Sequence, residues 1–519
     1  MTNKENFIDT INQGYDFKGK FINLGAAMLD GEVMTDTLVR IPLKMMNRHG
    51  LIAGATGSGK TKTLQILAEQ LSARSVPVLL MDVKGDLSGI AVPSNGHPKI
   101  DERHEKIGLP FDASGSPVEF LTLSDEKGAR LRATVTEFGP VLFSKILELN
   151  ETQSGIVSVV FKYCDDNRLS LLDLKDFKKV LQWATGEGKE DFEKDYGRIS
   201  TASTGAILRR IVELEQQGAD RFFGEHSFDV DDLCRIDEEG KGTVSIIRLT
   251  DIQDKPKLFS TFMLQMLAEV YATFPEEGDL EAPKLVIFID EAHLIFEKAS
   301  DALMDQIESI VKLIRSKGVG LFFVTQNPTD VPDAVLSQLG LKIQHALRAF
   351  TAKDRKAIRL TAQNYPETEF YKTDKVLTEL GIGEALVTTL NEKGIPTPLA
   401  HTMLRAPQSR MDVLSKSEID HFISQSTLID KYNEDIDRES AYEILSEKIE
   451  LAQEQEHQEK LKKQREKGRS SRSRRSEKGT VERMLNSSAG RTVVREITRG
   501  ILGALGIRTS SRRRKSGWF

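Results

Sequence analysis

The chain has 519 residues, of which 39% are hydrophobic and 29% charged, a balance that supports roughly two to four folded units with soluble surfaces. Its two cysteines, Cys164 and Cys234, exclude a disulfide scaffold, a cysteine zinc ribbon and an iron–sulfur cluster, and fit a reducing compartment. The net charge of −6 divides unevenly: residues 460–519 hold 19 Lys/Arg and 4 Asp/Glu, and residues 1–459 hold 53 and 74, so an acidic body of −21 precedes a basic tail of +15.

The N-terminal segment, MTNKENFIDT, lacks the apolar centre of a signal peptide. No apolar run approaches the roughly 18–20 residues that span a bilayer. No transmembrane segment is therefore expected, and the location that follows is cytoplasmic.

After some forty mixed, polar residues, Gly50-Leu51-Ile52-Ala53 reads as a short buried strand. Apolar Leu64, Ile66, Leu67 and Leu71 then predict a helix from Lys60 to about Ala73, and VPVLLMDV (76–83) a second buried strand. This strand–helix–strand rhythm is the signature of a mainly parallel α/β sheet. Strands are predicted again at 243–249, 284–290, 320–325 and 341–347, with helices around 258–271, 302–317 and 331–339. The stretch 135–240 breaks the rhythm with successive helical patterns and reads as an inserted helical subdomain. Residues 386–390 and 396–403 predict an antiparallel hairpin. Ser440-Ala-Tyr-Glu443 is a capping-box pattern opening a charged helix. Residues 468–479 form a low-complexity basic linker, and 492–507 an amphipathic helix weakened by three glycines.

The expected organisation is thus four parts. Residues 1–134 hold an N-terminal segment and the first part of the core, 135–240 the helical insertion, 241–430 the second part of the core, and 431–519 the charged helix, linker and basic C-terminal helix.

Two motifs carry chemistry. Gly54-Ala55-Thr56-Gly57-Ser58-Gly59-Lys60-Thr61 fits G-x-x-x-x-G-K-[ST] between a strand and a helix. Glycines let backbone N–H groups turn inward to form an anion cradle, and the helix N-terminus adds positive potential. These residues with Lys62 are the expected ATP-binding set. Lys60 would reach the β- and γ-phosphates, and Thr61 would ligate Mg²⁺.

The second motif, Lys284-Leu-Val-Ile-Phe-Ile-Asp290-Glu291-Ala-His293, delivers two carboxylates at the C-terminal end of a buried strand. Asp290 is the expected Mg²⁺ partner and Glu291 the general base that orients water. His293 is either an interface residue or a structural histidine. Gln326, ending the strand of Val324-Thr325-Gln326-Asn327, is the candidate γ-phosphate sensor. The acids of Asp82-Val-Lys84-Gly-Asp86 either assist metal and water or end a strand. Arg315 and Arg348 are candidate arginine fingers, and Arg315 is the stronger.

These residues resemble the HerA/FtsK group of ring-forming P-loop ATPases, and are most similar to bacterial HerA-like helicases of the YjgR type. The resemblance is carried by 48–65, 82–87, 288–294 and 318–327, together with 437–445 and 494–503 in the tail. It covers about 20–405 and parts of the tail. It implies a RecA/HerA-FtsK-like fold, a homohexamer with ATP sites between subunits, a pore that passes DNA, a sensor role for Gln326 and action in trans for Arg315. Two departures stand out. Asp86 occupies a position where many HerA-like chains carry Glu, and the segment ahead of Gly54 predicts that the N-terminal β-barrel of archaeal HerA is absent or reduced.

Three activities stay open at this level. The first is a DNA translocase or helicase. The second is a motor that moves or remodels a protein, with the basic tail recruiting a client or nuclease. The third is a nucleotide-gated scaffold whose tail meets a membrane surface.

Overall fold

The computed structural model describes residues 2–278, 280–296, 301–434, 436 and 438–469. The predicted linker beyond 469 and the amphipathic helix at 492–507 lie outside them. The described residues fall into two compact units, one drawn from 1–131 and 228–434 and the other from 132–227 and the helix that follows 434.

The first unit is built on twelve strands: β1 Phe21–Leu29, β2 Glu32–Pro42, β3 Gly50–Ala53, β4 Val78–Asp82, β5 Val118–Thr122, β6 Ala129–Arg130, β7 Val244–Arg248, β8 Leu285–Ile289, β9 Val319–Thr325, β10 Leu341–Gln344, β11 Glu384–Thr388 and β12 Ala400–Leu404. They form one sheet in the order β2-β1-β12-β11-β10-β3-β9-β8-β4-β7-β5-β6. Every pairing from β10 through β6 is parallel. The four strands at the other edge pair antiparallel.

The central strands are apolar and buried along their whole length, as expected where helices cover both faces of a parallel sheet. Close packing of the strands leaves no room for side chains at some positions. A Cβ on Gly50 would stand 2.4 Å from the Phe322 ring.

The predicted hairpin is present as β11–β12, in register from Glu384↔Met403 to Val387↔Ala400. The predicted helix at 331–339 shortens to Asp333–Leu336, since Pro332 starts it late and the turn through Gly340 leads straight into β10. The polar-looking N-terminus holds a helix, Asn3–Gly14, capped reciprocally by Thr2 and Glu5, and the long β1–β2 pair.

The second unit is helical. Helices Val135–Ile146, Glu151–Asn167, Leu174–Thr185 and Thr201–Gln216 enclose Phe143, Phe161 and Phe177, whose ring centroids lie 4.9–6.1 Å apart. Ser440 Oγ and the Tyr442 N–H donate to the Asp176 carboxylate at 2.5 and 2.8 Å, anchoring the start of the helix Ala441–Arg469. Residues 228–240, read from sequence with the helical insertion, fall in the first unit. There Asp232 accepts a hydrogen bond from Lys431 at 2.7 Å, and Ile236 bridges to Gly242.

Candidate functional site

The phosphate loop leaves β3 at its C-terminal end and enters the helix Lys60–Ser72. Gly57 and Gly59 have φ of 77° and 114°, left-handed values that a side chain would strain. The loop is tied to both neighbouring strands: the Gly54 N–H donates to the Thr325 carbonyl at 3.2 Å, and the Ala55 N–H to the Ala346 carbonyl at 2.8 Å. Lys60 folds over the loop and donates to the Gly54 and Ala55 carbonyls at 2.6 and 3.2 Å. Burial lowers its pKa and nearby Lys84 adds to this, while Glu291 and Asp290 oppose both. Lys60 and the acidic pair therefore share one electrostatic site, although 230 positions separate Lys60 from Asp290.

The topology explains this convergence. Only β9 lies between β3 and β8, so the ends of three adjacent parallel strands present the phosphate loop, Gln326 and Asp290-Glu291 on one edge. Gln326 is exposed there, directly after β9. Asp290 is 3% exposed. Burial pushes its pKa up to about 6, Lys84 opposes the rise and Glu291 adds to it.

Glu291 is 6% exposed and has φ 47°, an uncommon conformation for a residue with a side chain. The Ala292 N–H, bonded to the Val324 carbonyl at 3.0 Å, holds the turn against β9. The Glu291 carboxylate meets the Lys84 ammonium on one oxygen and His293 Nδ1 at 3.2 Å on the other.

Lys84 is the partner that the sequence reading missed. Its signal was the lysine between two acids at the end of β4, but nothing local links residue 84 to residue 291. Burial alone would lower the Lys84 pKa, yet the hydrogen bond to Glu291 and the surrounding carboxylates raise it. Asp82, weighed as a metal or water ligand, instead accepts the N–H groups of Gly85, Asp86 and Leu87 at 2.7, 3.1 and 3.1 Å. It shapes the turn that carries Lys84. Burial pushes Asp82 up to about 7 against those amides.

A second residue missed from sequence is His345, fully buried beneath the loop. Its Nε2 lies 2.9 Å from Thr63 Oγ1, and a Cβ on Gly54 would stand 2.5 Å from the His345 Cβ. Burial lowers its pKa to about 4, and Lys60 contributes, so the ring is a neutral support. Lys62 bonds the Met411 carbonyl. The same segment is gripped further along the helix, where Glu69 accepts the Gln408 and Ser409 N–H groups at 2.8 and 3.1 Å.

The two arginine candidates are placed differently. Arg348 donates to the Thr378 carbonyl at 3.3 Å. Arg315 occupies the turn before β9, at the end of that strand opposite to Gln326. It lines a small pocket with Arg48, His49, Lys312 and Gln338. His49 accepts the Leu321 N–H at Nδ1 (3.0 Å) and donates from Nε2 to the Val311 carbonyl (2.9 Å). This fixes a neutral tautomer. Burial lowers its pKa to about 4.

The residues fit a magnesium nucleotide. The glycine turns form a concave run of amides, Thr61 stands in the first turn of the following helix, and Asp290 Oδ2 is buried with no hydrogen-bond partner among the described residues. Mg²⁺, held by Thr61 and Asp290, would supply charge neutralisation on the phosphate oxygens. Lys60, now on the loop carbonyls, would turn to the same oxygens, and Glu291 would be the candidate to take a proton from water. If Lys84 positions Glu291, Lys84→Ala lowers the ATP turnover number by about 10–100-fold, a share of the whole general-base effect, with ATP affinity nearly unchanged. Separate measurement of kcat and nucleotide binding checks this. A loss in affinity alone would assign Lys84 to binding.

A mostly parallel sheet bearing a glycine-rich phosphate loop and, two strands away, a buried acidic pair defines a P-loop NTPase. The chain belongs to the Helicase HerA-like C-terminal family, which matches residues 28–512. It is 26% identical over 360 residues to the DNA double-strand break repair helicase HerA of Sulfurisphaera tokodaii, covering 68% of this chain and 64% of that protein. It is 23% identical over 363 residues to the DNA import protein CedB of Sulfolobus acidocaldarius, covering 69% of this chain and 52% of that one. The chain thus spans less than two thirds of these relatives. Among solved structures, the plasmid coupling protein TrwB bound to a GTP analogue superposes with a TM-score of 0.50 at 13% identity, over 78% of this chain and 95% of that one. That likeness is one of fold.

Proposed function

We propose that the chain is an ATP-hydrolysing ring motor that couples hydrolysis to movement of DNA. The observation that supports it best is the meeting of Lys60, Asp290 and Glu291 on one sheet edge, with Lys84 and His293 holding the Glu291 carboxylate. In this reading Gly54 to Lys62 cradle ATP, Thr61 and Asp290 hold Mg²⁺, Glu291 activates water and Gln326 senses the γ-phosphate. Arg315 completes the site of the next subunit in a homohexamer. The relatives named above, a break-repair helicase and a DNA import protein, favour DNA as the polymer. The charge of −21 over residues 1–459 favours a second reading, a motor acting on a protein client.

The two readings separate in one experiment. ATP turnover is measured with single-stranded DNA, duplex DNA, RNA and no polymer. The DNA reading expects stimulation by DNA, with apparent DNA affinity falling by about 10³-fold or more between 50 and 200 mM salt if six or more phosphates are contacted. Turnover indifferent to every nucleic acid at low salt leaves the protein-client reading.

A further inference from the structure

A motor with an acidic body needs a local surface that a polyanion can grip. One segment of the first unit supplies it. After β10 the chain passes through Arg348, Ala349, Phe350 and Thr351 into the helix Ala352–Gln363. Ile358 and Thr361 bury the inner side of that helix. Lys353, Arg355, Lys356 and Arg359 are all exposed, and at helical spacing they occupy one outward arc. Among the described residues none of the four makes an ion pair. The only acid between 348 and 363 is Asp354, and its carboxylate is turned onto the helix start, accepting the Phe350 and Thr351 N–H groups at 2.9 and 2.7 Å. Phe350, at the head of the helix, is 87% exposed, the highest value for a large apolar side chain among the described residues.

The segment is also wired to the nucleotide site. The Ala346 carbonyl accepts the Ala55 N–H of the phosphate loop, and the Leu347 N–H donates to the Leu377 carbonyl. Phe350 lies four residues beyond that link. The basic surface thus begins a few residues along the chain from a direct hydrogen bond to the phosphate loop.

We propose that Phe350 with Lys353, Arg355, Lys356 and Arg359 is the element that grips nucleic acid, the cations on the phosphate backbone and the phenyl ring stacked on an unpaired base. Four cations on one arc match successive phosphates, and an exposed ring beside them gives a single strand a stacking platform. This rests on the DNA reading above and adds the surface and the strand state.

The test uses the full chain with fluorescent single-stranded and duplex oligonucleotides. Arg355→Glu/Lys356→Glu/Arg359→Glu should weaken binding of both by about 100-fold or more and reduce the salt slope by about three. ATP turnover without polymer should be retained, which also reports folding, and the triple Gln variant should show the same trend more weakly. Phe350→Ala should lower single-strand affinity by about 5–100-fold and duplex affinity little. Wild-type protein that binds DNA while the triple variant binds equally well overturns this inference and leaves the DNA reading standing. Wild-type protein that binds no nucleic acid overturns both. Unchanged single-strand affinity in Phe350→Ala overturns the part given to stacking.

Discussion

Glu291→Gln should lower ATP turnover by about 10²–10⁴-fold, the usual worth of a positioned general base, while Mg-ATP binding stays close to wild type. The amide matches the carboxylate in volume, so a side chain 6% exposed can be replaced without opening a cavity. It cannot accept a proton from water. The phosphate loop and Asp290 remain, and the binding groups with them. Steady-state phosphate release and equilibrium binding of a fluorescent ATP analogue measure the two halves separately. Lys60→Ala provides the contrast, since it removes the cation proposed to bind the phosphates and should lose binding and turnover together. Turnover in Glu291→Gln within tenfold of wild type would reassign the base.

The same variant bears on Lys84 and His293. Both flank the carboxylate, so its neutralisation leaves an exposed lysine without that charge partner. If Lys84 serves only to orient Glu291, Lys84→Ala should add nothing once Glu291 is Gln. Two residues acting through one another give a non-additive pair.

What the sequence reveals about this site follows from how local each signal is. The phosphate loop is one continuous octapeptide between a strand and a helix, and the acidic pair ends an unbroken apolar run. Both are legible because a buried parallel strand leaves its mark in consecutive residues. Lys84 and Glu291 touch across 207 positions and His345 and Thr63 across 282, and these pairings exist only once the order of β10, β3, β9, β8 and β4 is known. The N-terminal edge fails for a different reason. The register of β1 against β2 shifts between Asn23 and Gly25 and again between Ala26 and Met28. Each irregularity breaks the alternation by which a half-buried strand is recognised. The helical second unit was legible as helices from its successive helical patterns, and the fold adds a capping box at Thr134, Asn150 and Asp173. Its membership was not: the attachment of residues 435–469 depends on Asp176 receiving Ser440 and Tyr442.

Arg315 poses a geometric question that a mixing experiment answers. It precedes β9, whereas Gln326 follows it. Seven residues of strand, on the order of 20 Å, separate the turn at 315–317 from the edge where Lys60, Asp290 and Glu291 gather. A side chain cannot cover that distance, so Arg315 does not serve its own phosphate loop. It stands instead with Arg48 and Lys312 around one pocket. If it acts in trans, Arg315→Ala should lose about 10³–10⁵ in turnover, and Arg315→Lys most of that, since a point charge does not replace the planar fork. Lys60→Ala is inactive for its own reason. Each variant nevertheless carries what the other lacks. In an equal random mixture, roughly a quarter of head-to-tail interfaces would join an intact loop to an intact arginine. Activity should then rise well above that of either variant alone, and it should rise only after subunits have exchanged. A mixture no more active than its components would place Arg315 outside catalysis, and the site would have to be complete within one chain.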